Sequence, residues 1–381
     1  MAEDTATQER RLPRVLILDG GLGTTLEDVF HRDISTPLWS ARPIEQDPEV
    51  IIEAHLAFLR AGARIISTAT YQSAFTTFEK SGYTRPDAVC IMRKAVTLAQ
   101  TAKTRFLAER SDVRPGDVHI ALALGPYGAT LHANEFDGLY PPPFGPGGSH
   151  NHFAPGEDAL CAQSIQALES FHLDRLRVFA GDAQTWDALD WVAFETLPLA
   201  REVTAVRRAM RVLLGELAAR PDACGRKRWW ISTVHPSGVF PGRASDGGVM
   251  TAGAVARAVL GRADPALAVP DGVGVNCTGV RHLPGLLAEV AAAVAEECGD
   301  AKPWLVLYPN GREWDVTAQS WVALGAGEED AAEAWATALA EAAAPYAGQH
   351  DIWQGLILGG CCKSGPKEIS ALAQLTCTSH A

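Results

Sequence analysis

Eight short apolar runs recur along this chain, and stretches with helical periodicity lie between them. Strands of a parallel sheet are buried on both faces, so they read as continuous apolar runs rather than as alternating ones. Eight such strands alternating with helices predict an α/β fold, the closed (β/α)8 TIM barrel. The runs are residues 15–18, 64–70, 118–124, 191–194, 229–232, 272–276, 304–308 and 354–358.

Helical signals occupy the segments between these runs. The clearest is a helix with Asp47 as its N-cap, Pro48 at the first helical position and Gly62 as its stop. Three further helices are predicted over residues 197–220, 284–298 and 327–344.

The composition of the chain limits which binding partners and which cellular compartment are expected. The net charge of −12 argues against nucleic acid and anionic membranes, and the lack of an apolar run of 18 residues predicts no membrane span. Residues 1–13 are polar, without a secretory signal, and are predicted to be a disordered tail before a single barrel domain over 14–381. Eight cysteines without a disulfide framework favour a reducing, cytoplasmic compartment. Either a monomer or a small homo-oligomer is compatible with the sequence.

Two of the runs end in cysteine. Cys277 follows the sixth run, and Cys361 and Cys362 follow the eighth, 84 residues later, after a Gly-Gly pair. Only one strand separates the sixth and eighth strands of a barrel, so the three sulfurs can reach one metal ion. Three thiolates with one open coordination position are typical of a catalytic zinc site. The alternative is a set of buried, inert cysteines, which is what we expect of Cys90, Cys161, Cys224, Cys298 and Cys377.

Two long insertions follow strand ends. Residues 132–157 and 234–250 are rich in glycine and proline, and both follow the carboxyl end of a predicted strand. Loops of this length are usually functional lids or disordered segments. Since active sites of such barrels lie at the carboxyl ends of the strands, we expect both insertions to lie over the catalytic face as lids.

Seven motifs at the strand ends, in the same order and over about residues 15–375, resemble the homocysteine S-methyltransferase family. Together they are far more specific than any one of them. They are Leu18-Asp19-Gly20-Gly21-Leu22-Gly23-Thr24, Thr70-Tyr71-Gln72, Gly125-Pro126-Tyr127-Gly128, Phe194-Glu195-Thr196, Gly274-Val275-Asn276-Cys277-Thr278, Tyr308-Pro309-Asn310 and Gly359-Gly360-Cys361-Cys362-Lys363. The chain departs from the family pattern in residues 311–315, which have one residue fewer than the usual spacing.

The resemblance implies an enzyme that uses one zinc ion per chain, with Cys277, Cys361 and Cys362 as ligands. The implied reaction is methyl transfer to homocysteine, giving methionine. The resemblance is closest to the branch whose donor is S-methylmethionine or S-adenosylmethionine. The implied partners are therefore small molecules, and no catalytic residue is expected beyond the zinc-activated substrate thiolate. Selenocysteine or another small thiol remains open as the acceptor, as does a non-catalytic zinc or thiol-redox protein on a barrel scaffold.

Substrate contacts follow from the same match. Asp19 and Glu195 occupy the family positions that bind the α-ammonium group, although Asp19 could instead cap its turn and Glu195 could favour a helix N-terminus. Asn276 is expected to orient the metal loop. A further group of side chains is expected to line the sulfonium pocket by cation–π contact, or else to pack at the barrel rim. This group consists of Tyr71, Tyr127 and Tyr308.

Overall fold

A computed structural model describes residues 14–34, 38, 41–131, 136–220, 225–299, 301–315, 320–322 and 330–378. The predicted disordered tail, residues 1–13, lies outside the described residues. In the part of the chain that is described, no helix is long and apolar enough to cross a membrane.

Eight parallel strands form one sheet, and a separate antiparallel hairpin follows the seventh of them. The sheet contains β1 (Val15–Ile17), β2 (Ile65–Ser67), β3 (His119–Leu124), β4 (Trp191–Leu197), β5 (Arg228–Val234), β6 (Gly272–Gly279), β7 (Trp304–Asn310) and β10 (Gly355–Leu358). The hairpin contains β8 (Glu313–Asp315) and β9 (Ser320–Val322).

The strand order closes the sheet on itself. It runs β1-β10-β7-β6-β5-β4-β3-β2, and a parallel bridge between Leu18 and Ile65 joins its two ends. Neighbouring strands in the chain are therefore neighbours in the sheet, except where β8 and β9 intervene. This topology confirms the predicted (β/α)8 barrel.

The helices surround the barrel. They are α1 (Leu22–Asp28), α2 (Pro43–Gln46), α3 (Pro48–Arg60), α4 (Phe75–Lys80), α5 (Arg85–Glu109), α6 (Asp158–Ala180), α7 (Ala183–Asp187), α8 (Ala200–Ala218), α9 (Ala252–Leu260), α10 (Leu283–Glu297), α11 (Ala331–Ala347) and α12 (Pro366–Thr378). The four predicted helices correspond to α3, α8, α10 and α11, although the predicted start of α11 lies outside the described residues.

The start of α3 differs from the prediction in one detail. Pro48 is its first residue, as expected, but the side chain of Asp47 makes no capping hydrogen bond. Its carboxylate instead accepts from the guanidinium of Arg32, at 2.7 Å. The charged partner outcompetes the backbone N–H, and the fixed φ of proline alone sets the helix start.

Three indole rings fill the lower interior of the barrel. Trp191 and Trp304 are the first residues of their strands, and their ring centroids lie 5.9 Å apart, while Trp230 lies 5.5 Å from Trp191. On β6, Gly274 lies too close to β7 for a side chain, since a Cβ there would lie 2.2 Å from the carbonyl oxygen of Val306. The amino-terminal half of the barrel is a packed core, and the space for ligands is at the carboxyl ends of the strands.

The cysteines outside the site do not all follow the prediction of burial. Cys298 is buried, Cys161 is half-buried, and Cys90 is exposed. Cys90 lies on the outer face of α5, whose inner face is formed by residues such as Ala88 and Ile91. The expectation for Cys90 was wrong because helical periodicity, rather than residue type, decides which positions face the core. Cys224 and the side chain of Cys377 lie outside the described residues.

The two insertions contact each other above the barrel. The side-chain amide of Asn151, in the first, donates to the carbonyl oxygen of Pro241 in the second at 2.9 Å and to that of Asp137 at 2.8 Å. Residues 132–135 lie outside the described residues. That the insertions act as lids stays a prediction.

Candidate active site

Three cysteine sulfurs converge at the carboxyl ends of β6 and β10. The Sγ atoms of Cys277 and Cys361 are 2.7 Å apart, those of Cys277 and Cys362 are 4.0 Å apart, and all three lie within 4.8 Å of one another. All three are free and half-buried. Among the described residues, this is the group of His, Cys, Asp and Glu side chains that could hold a metal ion.

Irregular backbone brings the sulfurs together. Cys277 has a φ of +48°, and the pairing of β6 with β7 shifts register just there, between Asn276 and Gly279. Such a bulge re-aims a side chain at the end of a strand. After β10, the amide of Cys361 donates to the carbonyl oxygen of Pro309 at 2.8 Å, which fixes the vicinal pair against the end of β7.

The sulfur positions fit a tetrahedral zinc site. With Zn–S bonds of about 2.3 Å, two sulfurs on one zinc are about 3.8 Å apart. The distance between Cys277 and Cys362 is close to this value, and that between Cys277 and Cys361 needs an opening of about 1 Å. Three sulfurs leave the fourth position open to the adjoining cavity, so the donor set suits a catalytic ion rather than a structural one.

Because the three sulfurs lie so close together, the pKa values of their thiols shift in opposite directions. Hydrogen bonds from Cys277 and Cys361 hold the pKa of the Cys362 thiol well below its usual value. Hydrogen bonding with Cys361 and then with Cys362, followed by burial, raises the pKa of the Cys277 thiol well above its usual value. A cation at the centre of the cluster would stabilise all three thiolates.

Asn276 joins the metal loop to β4. Its side chain accepts from the backbone amide of Thr196 at 2.8 Å, donates to the Thr196 hydroxyl at 2.7 Å, and lies 3.9 Å from the sulfur of Cys361. Thr196 has a φ of +62°, an unfavourable conformation for a β-branched residue, which these two hydrogen bonds stabilise. Asn276 is fully buried, as expected of a residue that orients the loop.

A cavity of about 380 Å³ adjoins the sulfurs and extends over the mouth of the barrel. We call it the first cavity. It is lined by the three cysteines and by four of the predicted substrate residues, Asp19, Tyr71, Glu195 and Tyr308. The structure thus brings two residues that follow β1 and β2, and two residues of β4 and β7, to one space.

Asp19 is an acid held in an apolar environment. Its side chain accepts from the backbone amide of Ser67 at 2.7 Å and from the Ser67 hydroxyl at 3.0 Å. Burial nevertheless raises the pKa of Asp19 from 3.8 to about 7, because these neutral donors do not replace the lost hydration. A cationic group entering the first cavity would favour the ionised form.

Glu195 and Tyr308 lie close to each other and to the sulfur of Cys361. Burial first, and then the negative charge of Glu195, raise the pKa of Tyr308 well above its usual value. The hydroxyl of Tyr308 accepts from the indole N–H of Trp230 at 3.2 Å, which ties the floor of the cavity to the barrel core. The pairing of β4 with β5 shifts register between Phe194 and Leu197, around Glu195.

Of the two alternatives for Tyr127, the structure shows packing rather than a position in the first cavity. Its ring stacks on Phe144 of the first insertion, with centroids 3.9 Å apart, and its backbone amide donates to Glu202 at 2.6 Å. The chain turns into a short 3₁₀ helix, Tyr127–Thr130, directly after Pro126. This turn directs the ring into an aromatic cluster beneath the insertion. Tyr71, in contrast, lines the first cavity and packs against Gly125, where a Cβ would lie 2.7 Å from its ring.

A second cavity of about 390 Å³ meets the first at the sulfurs. We call it the second cavity. Both are lined by Cys277, Cys362, Phe136 and Trp321. The remaining wall of the second cavity comes from the second insertion, from the end of β6 and the segment after it, from the end of β7 and from the hairpin.

The residues of this hairpin were not predicted from the sequence. Trp314 and Trp321 pair across it, with ring centroids 5.3 Å apart, and Glu313 precedes them. The departure of residues 311–315 from the family spacing was the available signal. Ser67 was also not predicted, because a short polar residue at the end of a strand gives no specific signal in the sequence.

Comparisons with known proteins show the family of the chain. A family model described as homocysteine S-methyltransferase matches residues 16–376. The chain is 30% identical to a selenocysteine Se-methyltransferase of Brassica oleracea var. italica, covering 93% of this chain and 87% of that protein. It is 29% identical to a homocysteine S-methyltransferase of Escherichia coli (strain K12), covering 94% of each.

A solved structure of a related enzyme has a similar fold. The metallated form of the homocysteine methyltransferase MmuM from Escherichia coli superposes with a TM-score of 0.62 at 26% identity, covering 95% of this chain and 96% of that one. The match of a family model over nearly the whole chain, with relatives of similar length, shows an enzyme of this kind. The chain belongs to the homocysteine S-methyltransferase family.

Proposed function

We propose that this enzyme uses zinc and transfers a methyl group from a sulfonium donor, S-methylmethionine or S-adenosylmethionine, to homocysteine, forming methionine. The observation that carries the proposal is the convergence of three free cysteine sulfurs on a cavity that also holds two carboxylates. Membership in a family of methyltransferases favours this function over the non-catalytic zinc or redox protein.

Cys277, Cys361 and Cys362 would hold the zinc. When bound, zinc would keep a substrate thiol deprotonated at neutral pH, which a free thiol with a pKa near 8.5 does not achieve. The existence of a metallated form of the Escherichia coli enzyme supports a metal in this family. The fit of the sulfur distances to Zn–S geometry supports zinc as that metal.

Asp19 and Glu195 would bind the α-ammonium group of homocysteine. Both line the first cavity, and since burial raises the pKa of Asp19 to about 7, a cationic partner would favour its ionised form. Asn276 would keep Cys361 in place through its contact with that sulfur. Tyr71 and Tyr308 would form apolar walls around the reacting groups.

The chemistry needs a dry site more than it needs an acid or a base. In the transfer, the homocysteine sulfur forms a bond to the methyl carbon while the donor's sulfur–methyl bond breaks, and the electron pair of that bond stays on the donor sulfur. An anion and a cation become two neutral thioethers. Water stabilises the separated charges more than the transition state, so a site walled by buried side chains favours the reaction.

Selenocysteine is the second candidate acceptor. The observation that favours it is the 30% identity to a plant selenocysteine Se-methyltransferase. A selenolate would enter the same first cavity, and the same carboxylates would bind its ammonium group. Competition between homocysteine and selenocysteine at equal concentration separates the two by their kcat/KM values.

The test is methionine formation from homocysteine with S-methylmethionine, S-adenosylmethionine and betaine side by side. The zinc content of the same preparation is measured. We expect turnover with a sulfonium donor, at about one zinc per chain, and none with betaine. A fully zinc-loaded enzyme that forms no methionine with any of the three would overturn the proposal.

A further inference from the structure

We propose that the second cavity is the binding site of the methyl donor, and that the donor is a small sulfonium amino acid whose α-ammonium group is held by Glu313 and Asn310. The inference rests on the proposed function and deepens it. It begins with the position of the second cavity, which meets the first at Cys277 and Cys362.

Methyl transfer needs two molecules at one point. The attacking sulfur, the methyl carbon and the leaving sulfur must lie in line and close together. In the first cavity, Asp19 and Glu195 and the cysteine sulfurs provide for one amino acid with a thiol. The second cavity has about the same volume and reaches the sulfurs of Cys277 and Cys362, so it provides for the other molecule.

Two acceptor atoms in the second cavity have no hydrogen-bond partner. Oε1 of Glu313 and Oδ1 of Asn310 are buried and unpaired within the described part of the chain. The Glu313 side chain is only 15% exposed, and its other oxygen lies 3.5 Å from the guanidinium of Arg281. A buried carboxylate or amide oxygen without a donor is costly, so a ligand with several N–H groups would bind here favourably.

The residues that carry both acceptor oxygens are held in place by their contacts. The carboxylate of Glu313 packs on Gly279 at the end of β6, where a Cβ would lie 2.3 Å from its Oε2. The carbonyl oxygen of Asn310 accepts from the indole N–H of Trp335 at 2.9 Å. The two oxygens are thus held by the same strand ends that carry the metal loop, which suits a binding site for a small ligand.

Aromatic rings complete the site. Trp314 and Trp321 meet at 67° with centroids 5.3 Å apart, and Phe136 of the first insertion faces the same space. Indole faces attract cations such as a sulfonium group, most strongly where water is excluded. Arg281, at the rim and 63% exposed, is placed for the carboxylate of the amino acid.

This arrangement matches the charges of a sulfonium amino acid one by one. The ammonium group would meet Glu313 and Asn310, the carboxylate would meet Arg281, and the sulfonium would lie between the indoles and the cysteine sulfurs. No co-reactant is needed, because the donor leaves as a neutral thioether that keeps the electron pair.

The test measures binding rather than turnover. Isothermal titration calorimetry of S-methylmethionine into the zinc-loaded enzyme, without homocysteine, gives Kd for the donor alone. Glu313→Gln keeps the size of the side chain and removes its charge, and we expect Kd to rise about tenfold or more. Glu341→Gln, on the exposed face of α11, is the matched control and should leave Kd unchanged.

Two further ligands identify the group that Glu313 binds. Dimethylsulfoniopropionate has a sulfonium and a carboxylate but no amino group, so Glu313→Gln should weaken its binding far less than that of S-methylmethionine. Methionine lacks the positive sulfur, and Trp321→Leu should reduce the preference of the enzyme for S-methylmethionine over methionine. Thermal melting of each variant checks that the fold is retained.

The outcomes separate the donor site from the function. Suppose that the wild type forms methionine and that Glu313→Gln and Trp321→Leu both bind S-methylmethionine with the wild-type Kd. The donor then lies elsewhere and the inference is wrong. If S-methylmethionine binds in a Glu313-dependent manner but no methionine forms, the donor site stands and the proposed reaction fails.

Discussion

Replacing Asp19 by asparagine should stabilise the protein at alkaline pH while weakening homocysteine binding. Asparagine has the same shape, and it can accept from the amide of Ser67 and donate to the Ser67 hydroxyl, so both hydrogen bonds survive. What the substitution removes is the buried negative charge.

The magnitude follows from the pKa of Asp19. Burial raises this pKa from 3.8 to about 7. Because the folded pKa is the higher one, the carboxyl group contributes stability that is complete below pH 3.8 and is lost as pH rises through 7. A difference of about 3 pH units corresponds to about 4 kcal/mol, of which about 3 kcal/mol is lost between pH 5 and pH 8.

The assay is equilibrium urea unfolding of both proteins from pH 5 to pH 8 at one saturating zinc concentration. Other groups also titrate in this range. For example, His55 and His172 have their pKa lowered to about 4 by burial, so they add stability as pH rises. Their effects cancel in the difference between variant and wild type, which should grow by about 3 kcal/mol across the range.

Asp246→Asn, in the exposed part of the second insertion, is the matched control and should show no such trend. Calorimetry at pH 8 should show that Asp19→Asn binds homocysteine about tenfold or more weakly, since a charged hydrogen bond is lost. A stability difference that does not change with pH, or a variant less stable at pH 8, would refute the reasoning on burial.

Three other substitutions test separate parts of the site. Cys277→Ser should lose the metal and the activity while the fold remains, whereas Cys90→Ser should retain both; a fully metallated Cys277→Ser would exclude that residue as a ligand. Glu195→Gln should raise KM for homocysteine about tenfold at unchanged metal content, and an unaltered KM would place the ammonium group elsewhere. Gly274→Ala should destabilise the barrel by about 1–3 kcal/mol in urea unfolding, because the new methyl group meets a backbone carbonyl that cannot move away easily; a cost near zero would show that β6 adjusts freely.

The barrel could be predicted because its strands carry a local signal. Runs such as Trp304–Tyr308 are apolar at every position, and a parallel strand covered on both faces requires just that. The meeting of Cys277 with Cys361 and Cys362 followed from topology, since strand ends separated by one strand lie side by side. The burial of the strands and the position of the strand ends can therefore be predicted without knowing the conformation of the loops.

The conformation of the loops was not predictable in the same way. Tyr127 stands at a strand end like Tyr71 and Tyr308, yet its ring packs beneath the first insertion. The short 3₁₀ turn, Tyr127–Thr130, decided this, and the partner that stabilises it, Glu202, lies 75 residues away on α8. Such a choice depends on tertiary packing that no local pattern records.

The hairpin was missed for a related reason. β8 and β9 are three residues each, too short for a period of two to be recognised. Their two tryptophans looked like scattered aromatic residues in sequence. Only the structure places them next to Cys277 and Cys362, at the wall of the second cavity.

The meeting of the two cavities at the cysteine sulfurs has a stereochemical consequence. If donor and acceptor lie in the two spaces at once, the methyl carbon is attacked once and its configuration is inverted. If a cysteine of the cluster accepted the methyl group first, two displacements would restore the original configuration. A donor whose methyl group carries hydrogen, deuterium and tritium would therefore give methionine whose methyl group has opposite configurations in the two cases. The configuration of this methyl group would reveal whether both cavities are filled in one turnover.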